Sequence, residues 1–320
     1  MDATSPLLTL KIDVDTYHGT RLGAGRLVRM LRARRVNATF LFSLGPDHTG
    51  WALRRVLRPG FFSKVARTSV LEHYGWKTLM HGTLLPGPDI GVRCAAEMRA
   101  VRDAGFECGI HSWDHVLWQD QVAARDAPWT AAMMDQAARR YSAVFGVAAH
   151  THGAAGWQMN AAAFARSDAA GYLYASDGRA ALDARGALRD PGSGPHRLRV
   201  DGRLLRCVQL PTTLPTLDEL LGREIDGRLI TAENVADHLL SLTAAGRRDH
   251  VYTLHAELEG QKLSPVFARL LDGWRAQGYR LGAMTDYYEK VKHAPMPTLR
   301  WGWGEVPGRS GRVLMQGGAP

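Results

Sequence analysis

Apolar and polar positions along this chain alternate between two periods, and each change of period marks a new element. Residues 7–12, Leu-Leu-Thr-Leu-Lys-Ile, are short, apolar and mostly β-favouring. They read as a buried strand that delivers Asp13 and Asp15 at its end. Residues 21–34 carry Leu22, Val28 and Leu31 among arginines, the pattern of a surface helix over a sheet. Residues 37–42 form the next strand and close on the turn Gly45-Pro46-Asp47. Strand, helix and strand in this order predict a parallel sheet or barrel.

The rhythm breaks between Gly50 and Pro88, where nothing reads as a sheet strand. Two short helices, 51–58 and 61–72, are predicted on either side of Pro59-Gly60. Arg54, Arg55, Arg58 and Lys64 alternate there with Phe61 and Phe62, and Glu72 is the one acidic residue between Trp51 and Met80. A basic, aromatic-rich amphipathic segment suits a membrane surface, with rings at headgroup depth and cations on anionic lipid. It equally suits a capping subdomain whose arginines face water.

Alternation resumes at Gly91. A helix to Ala104 and a strand over 106–110 run into His111-Ser112-Trp113-Asp114-His115. Further helices are predicted at 129–145, 160–169, 231–242 and 265–276. Further strands are predicted near 147–149, 172–175, 205–210, 250–254 and 279–283. Residues 178–203 read as an exposed loop or hairpin. The Gly-, Pro- and Arg-rich stretch 295–320 reads as a disordered tail. The expected organisation is one α/β domain over 1–294, with the segment 50–90 inserted.

Composition narrows the function classes. The chain is 45% hydrophobic and 22% charged, the balance of an ordinary globular protein. Three scattered cysteines exclude a disulfide framework or a Cys-rich zinc site. No apolar run reaches the roughly 20 residues a membrane span needs, and Met1 to Leu10 is a poor signal peptide, so the cytoplasm is expected. The net charge of +9 invites an anionic partner, but 34 arginines against 6 lysines also fit compositional drift. No nucleic-acid-binding module is present, and no nucleic-acid partner is expected.

The candidate chemistry sits where strands end. Asp13 and Asp15 lie at i and i+2 of an extended backbone and point the same way, so a cation or proton between them relieves their repulsion. His111 and His115 share a face if the chain turns helically after its strand, and two imidazoles on one face can grip a metal. Paired histidines also occur as core or solvated residues, and single aspartates as turn caps. His150 and His152, in a Gly/Ala loop, read as exposed or hydrogen-bonded. Ser176, Asp177 and His255 complete the strand-end set. In parallel α/β barrels the C-terminal strand ends form one face, where reactive groups gather. There Asp15, His111 and His115 can hold a divalent ion that polarises a carbonyl and activates water. Asp13 can take the water's proton, and His255 can protonate a leaving nitrogen.

These motifs, in this order and each after a strand, resemble those of the polysaccharide deacetylase (NodB-homology) family. The resemblance rests on Asp13-Val14-Asp15, His111-Ser112-Trp113-Asp114-His115 and Leu254-His255. It implies a distorted (β/α)7-like barrel with Asp13 as base, Asp15, His111 and His115 as metal ligands, and His255 as general acid. Further stretches are similar to the branch that deformylates undecaprenyl-phosphate-linked 4-deoxy-4-formamido-L-arabinose. They are Phe42-Ser43-Leu44-Gly45-Pro46-Asp47, Tyr74-Gly75-Trp76, Ala154-Ala155-Gly156-Trp157, Gln209-Leu210-Pro211 and His255-Ala256-Glu257. That likeness covers about residues 7–290. It implies a lipid-linked sugar phosphate at the cytoplasmic face of the inner membrane and an amine product destined for lipid A.

The resemblance leaves particular residues open. The family's base-orienting arginine has no counterpart in residues 152–157; Arg179 is one substitute, and Asp177 can hold His255 protonated. Trp113 or Trp157 can wall a formyl-sized pocket. Glu257 and Glu259 can recognise the sugar or lie in a solvated loop. Zinc, cobalt, manganese and iron all accept an Asp-His-His set. The rivals are a deacetylase of another amino sugar and a catalytically silent carbohydrate-binding protein on the membrane surface.

Overall fold

A computed structural model describes residues 5–52 and 87–318. Its centre is β1 (Leu7–Val14), buried along its whole length. A strand buried on both faces, with Leu8, Leu10, Ile12 and Val14 on one and Leu7, Thr9, Lys11 and Asp13 on the other, belongs inside a parallel α/β sheet. β1 pairs in parallel with β2 (Thr39–Ser43) on one side and with β10 (His250–His255) on the other. From β2 the parallel order continues through β3 (Glu107–Ser112), β4 (Thr151–His152), β5 (Tyr174–Ala175) and β7 (Arg203–Gln209). β6 (His196–Val200) runs antiparallel to β7, forming a hairpin with it. β11 (Arg280–Gly282) adds to the start of β1. A small separate hairpin joins β8 (Glu224–Ile225) and β9 (Arg228–Leu229).

The run of parallel strands from β10 through β1 to β7 gives the expected mostly parallel α/β sheet, but it does not close as a barrel: no ladder joins β7 to β10 among the described residues. The gap is bridged by the segment after β7. The Thr213 N–H donates to the Val251 carbonyl at 3.0 Å, and the Val251 N–H donates to Thr213 Oγ1 at 2.9 Å.

Helices cover the sheet where their apolar stripes face it. Leu27 and Leu31 of the helix Gly25–Ala33 are buried, as are Met133, Ala137, Tyr141 and Val144 of the helix Ala127–Phe145. That second helix is capped by Asp126, whose side chain accepts from the Trp129 N–H. It stops at Gly146, held at φ 76° in the left-handed region that glycine enters without penalty.

Three expectations need correction. The short strand expected at 147–149 is instead Thr151–His152, because its pairing partner is fixed by β3 and β5 rather than by local propensity. The stretch 178–203 is not simply exposed: Arg179 is wholly buried, and the end of the stretch forms β6. The tail expected to be disordered is ordered. β12 (Thr298–Leu299) extends the sheet beside β6, and β13 (Trp301–Gly304) pairs with β14 (Val313–Gln316). Val306, Val313 and Met315 bury against Trp157 and Leu182, an apolar contact that outweighs the tail's turn-like composition. Residues 53–86, with Arg54, Arg55, Arg58, Phe61, Phe62 and Lys64, lie outside the described residues.

Candidate active site

Parallel strands carry their C-terminal ends to one side of a sheet, and here those ends carry the chemistry. Asp13 on β1 and His255 on β10 are in register as direct neighbours. β3 ends in His111-Ser112, and the chain then turns into the helix His115–Gln121. Asp114 fixes that turn. One oxygen caps the helix by accepting from the Leu117 N–H at 3.0 Å, and the other meets His48 Nδ1 at 2.5 Å. The two imidazoles of His111 and His115 are thereby set with ring centres 5.2 Å apart.

Asp15 faces both rings. His111 Nε2 lies 3.2 Å from Asp15 Oδ1, and His115 Nε2 lies 3.5 Å from Asp15 Oδ2. On its far side the His111 ring donates from Nδ1 to the Gly153 carbonyl at 2.6 Å. That bond puts the ring proton on Nδ1 and leaves a lone pair on Nε2 directed at a carboxylate oxygen. Asp15 Oδ1 is buried and has no hydrogen-bond partner. Two lone pairs facing each other at this distance are relieved by a proton or by a metal cation between them. One donor atom each from Asp15, His111 and His115 falls within 4.8 Å of the others, and the donor set suits a divalent ion. Burial opposes ionisation of Asp15, yet His115 and His111 draw its carboxyl far below the ordinary range.

Asp13 stands beside this group. Its Oδ1 is 3.8 Å from His111 Nδ1, while its Oδ2 is 3.1 Å from the ammonium of Lys11. His255 comes from the neighbouring strand. Its Nδ1 is buried without a hydrogen-bond partner, 3.7 Å from an equally unpartnered Oδ1 of Asp218. Burial alone would depress this imidazole, but Asp218, Asp15, Glu259 and Asp13 together raise it to about 9. It is therefore charged at neutral pH and equipped to give up a proton.

The structure brings Asp13, Asp15, His111, His115 and His255 together as expected, and it relocates the supporting residues. Asp177 does not hold His255. β4 and β5 are neighbours, so Asp177 accepts from His152 Nδ1 at 2.8 Å and from the Ala154 N–H at 3.0 Å. Arg179 does not reach Asp13 either; it is paired with Glu219 through both guanidinium nitrogens and lies over the Trp157 ring. Ser176 is buried, with its N–H on the His152 carbonyl.

Glu257 and Glu259 do not lie in a solvated loop. Glu257 Oε1 accepts from the Asp15 and Thr16 N–H groups and from Thr16 Oγ1, clamping the backbone that carries Asp15. Its carboxyl is pushed up to about 8 by burial and by the Asp15 charge. Glu259 accepts from the His255 N–H and the Tyr252 hydroxyl. Trp157 is buried beside Lys11, and the half-buried Trp113 packs on Gly45 and under Arg140.

Sequence reasoning missed Lys11 and Asp218. The signal for Lys11 was present: a lone charge in an apolar strand, two residues before Asp13 and on the same face. Asp218 carried none, because only the fold brings it to His255.

None of the protein-family models matches the chain. Among curated proteins, a Shewanella sediminis protein named as 4-deoxy-4-formamido-L-arabinose-phosphoundecaprenol deformylase ArnD is 35% identical over 263 residues, 82% of this chain and 79% of its own. A protein of the same name from Wigglesworthia glossinidia brevipalpis is 26% identical over 93% of this chain and 98% of its own. Among solved structures, a Mycobacterium smegmatis protein assigned as a polysaccharide deacetylase superposes with a TM-score of 0.61 at 14% identity, covering 96% of this chain and 97% of its own. The Puue allantoinase superposes with a TM-score of 0.58 at 12% identity, covering 90% of each chain.

Proposed function

We propose that this chain, which belongs to the ArnD-type deformylase family and is a hydrolase of amide bonds, removes the formyl group from 4-deoxy-4-formamido-L-arabinose linked to undecaprenyl phosphate. Water and the formamide give formate and the free 4-amino sugar lipid, the amine that would modify lipid A. The observation that carries the reading is the register of Asp13 and His255 on adjacent strands, beside the Asp15–His111–His115 group.

Asp15, His111 and His115 would hold a divalent ion, which when bound supplies Lewis-acid polarisation of the carbonyl and lowers the pKa of water. Asp13 accepts the proton of the attacking water through Oδ1, the oxygen not facing Lys11. His255, charged at neutral pH, returns a proton to the sugar nitrogen as the carbon–nitrogen bond breaks. Glu257 keeps Asp15 in place by holding its backbone.

No helix among the described residues is long and apolar enough to cross a membrane. In this reading the lipid substrate is met at a membrane surface, and the basic, aromatic segment 51–80 is the contact we assign on the cytoplasmic face. Changing Arg54, Arg55 and Arg58 together to Glu should release the protein from anionic vesicles in a flotation assay; unchanged flotation removes those arginines from the contact.

Formate release from the formamido-arabinose lipid, before and after chelation, tests the activity. Release lost on chelation and restored by a divalent metal supports it. No release, with turnover of an acetylated amino sugar instead, moves the chain to deacetylation; inactivity on both leaves a carbohydrate-binding protein.

A further inference from the structure

We propose that Lys11 is a positioning residue, which ties one oxygen of Asp13 and so presents the other to the attacking water. The inference rests on Asp13 being the base. Lys11 is the one charged residue inside the apolar run of β1, and it is wholly buried. Asp13, two residues on, projects from the same face, and the Lys11 ammonium lies 3.1 Å from its Oδ2, a charge contact rather than an aligned hydrogen bond. Among the described residues no other carboxylate lies within ion-pair distance of that ammonium. The Trp157 ring also faces it, with its centre 5.2 Å away. The free Asp13 oxygen, Oδ1, is the one turned toward His111.

The surroundings are built to admit this side chain. A Cβ at Gly153 would lie 2.4 Å from Leu41 Cδ1 and 2.9 Å from Lys11 Cε, so the glycine leaves room for both side chains. The same Gly153 supplies the carbonyl that orients His111. One residue thus leaves room for the cation behind the base and sets the ring of a neighbouring ligand. Stability does not account for the pair. Burying an ammonium costs several kcal/mol, and replacing a buried ion pair by apolar residues is often neutral or stabilising. What the pair provides is direction. Without the ammonium the Asp13 carboxylate is free to rotate toward His111 and Asp15, where it would become one more acidic group in the ligand set.

The test compares Lys11→Met, Lys11→Arg, Asp13→Asn and the double variant Lys11→Met/Asp13→Asn with wild type. It measures formate release from the formamido-arabinose lipid, bound metal and thermal unfolding. We expect Lys11→Met to lower kcat about 100-fold, a loss typical of a disturbed general base, with KM close to wild type and metal content unchanged. Lys11→Arg should restore most of that loss. On the Asp13→Asn background, Lys11→Met should cost nothing further, and the double variant should unfold no earlier than wild type. Lys11→Gln, which keeps a donor without the charge, carries the test if the methionine variant does not fold. Wild-type kcat in the neutral variant beside an inactive Asp13→Asn would overturn the role of Lys11 alone. An equal loss from Lys11→Met on the Asp13→Asn background would overturn it as well. An active Asp13→Asn would remove the base assignment, and this inference with it.

Discussion

The two ends of β3 hold buried polar groups of opposite kinds. At its start, Glu107 is satisfied on both oxygens: Oε1 by the Tyr174 hydroxyl and His150 Nε2, Oε2 by the Thr39 hydroxyl and the Thr285 N–H. At its finish, His111 looks onto a carboxylate oxygen with no hydrogen donor. The contrast is general among the described residues. The buried carboxylate oxygens without a hydrogen-bond partner are Asp13 Oδ1, Asp15 Oδ1, Asp218 Oδ1 and Glu257 Oε2, and all four belong to the site. Native folds leave few such groups, because each forfeits its hydration. A satisfied carboxylate therefore marks a place where the fold is held together. An orphaned one marks a place where something else is to bind or react.

If that division is right, substitutions at the two ends should fail differently. The largest effect is expected from Asp13→Asn, which should lower kcat on the order of 10³-fold through loss of the base, with the fold intact by circular dichroism. Wild-type turnover would break the division at its most exposed point. Glu107→Gln should do the reverse. It replaces an acceptor by a donor among groups that all donate, and should cost about 1–3 kcal/mol in denaturant unfolding while formate release stays near wild type. The smallest effect is a shift in a pH profile. His255 acts as an acid only while protonated, so the rate should fall as pH rises through its pKa of about 9. Among the groups that raise that pKa, Asp218 has the largest effect, and Asp218→Asn should move the alkaline limb to lower pH. An unmoved limb would separate His255 from the proton transfer.

The strand-end chemistry was legible in the sequence because each apolar run stops abruptly at a polar group: Ile12 before Asp13, Ile110 before His111, Leu254 before His255. Period and punctuation carry that information locally. The partners of those groups were not legible, because they depend on strand order. Asp177 follows a strand that neighbours β4, so it meets His152, whereas His255 sits on the far side of β1. Lys11 was hidden inside an apolar run, where a single charge reads as an interruption rather than as a partner for Asp13. The tail misled by composition: Trp301-Gly-Trp-Gly alternates as a strand should, but its glycines read as loop until Val313–Gln316 pairs with it.

The central claim is that the unpartnered Asp15 oxygen, facing His111 and His115, awaits a cation. Its most direct test is the divalent metal content of purified protein, measured by mass spectrometry on wild type, Asp15→Asn and Glu107→Gln. One ion per chain in wild type and Glu107→Gln, and none in Asp15→Asn, is the result predicted. An ion retained by a folded Asp15→Asn, or none in an active wild type, would contradict the account.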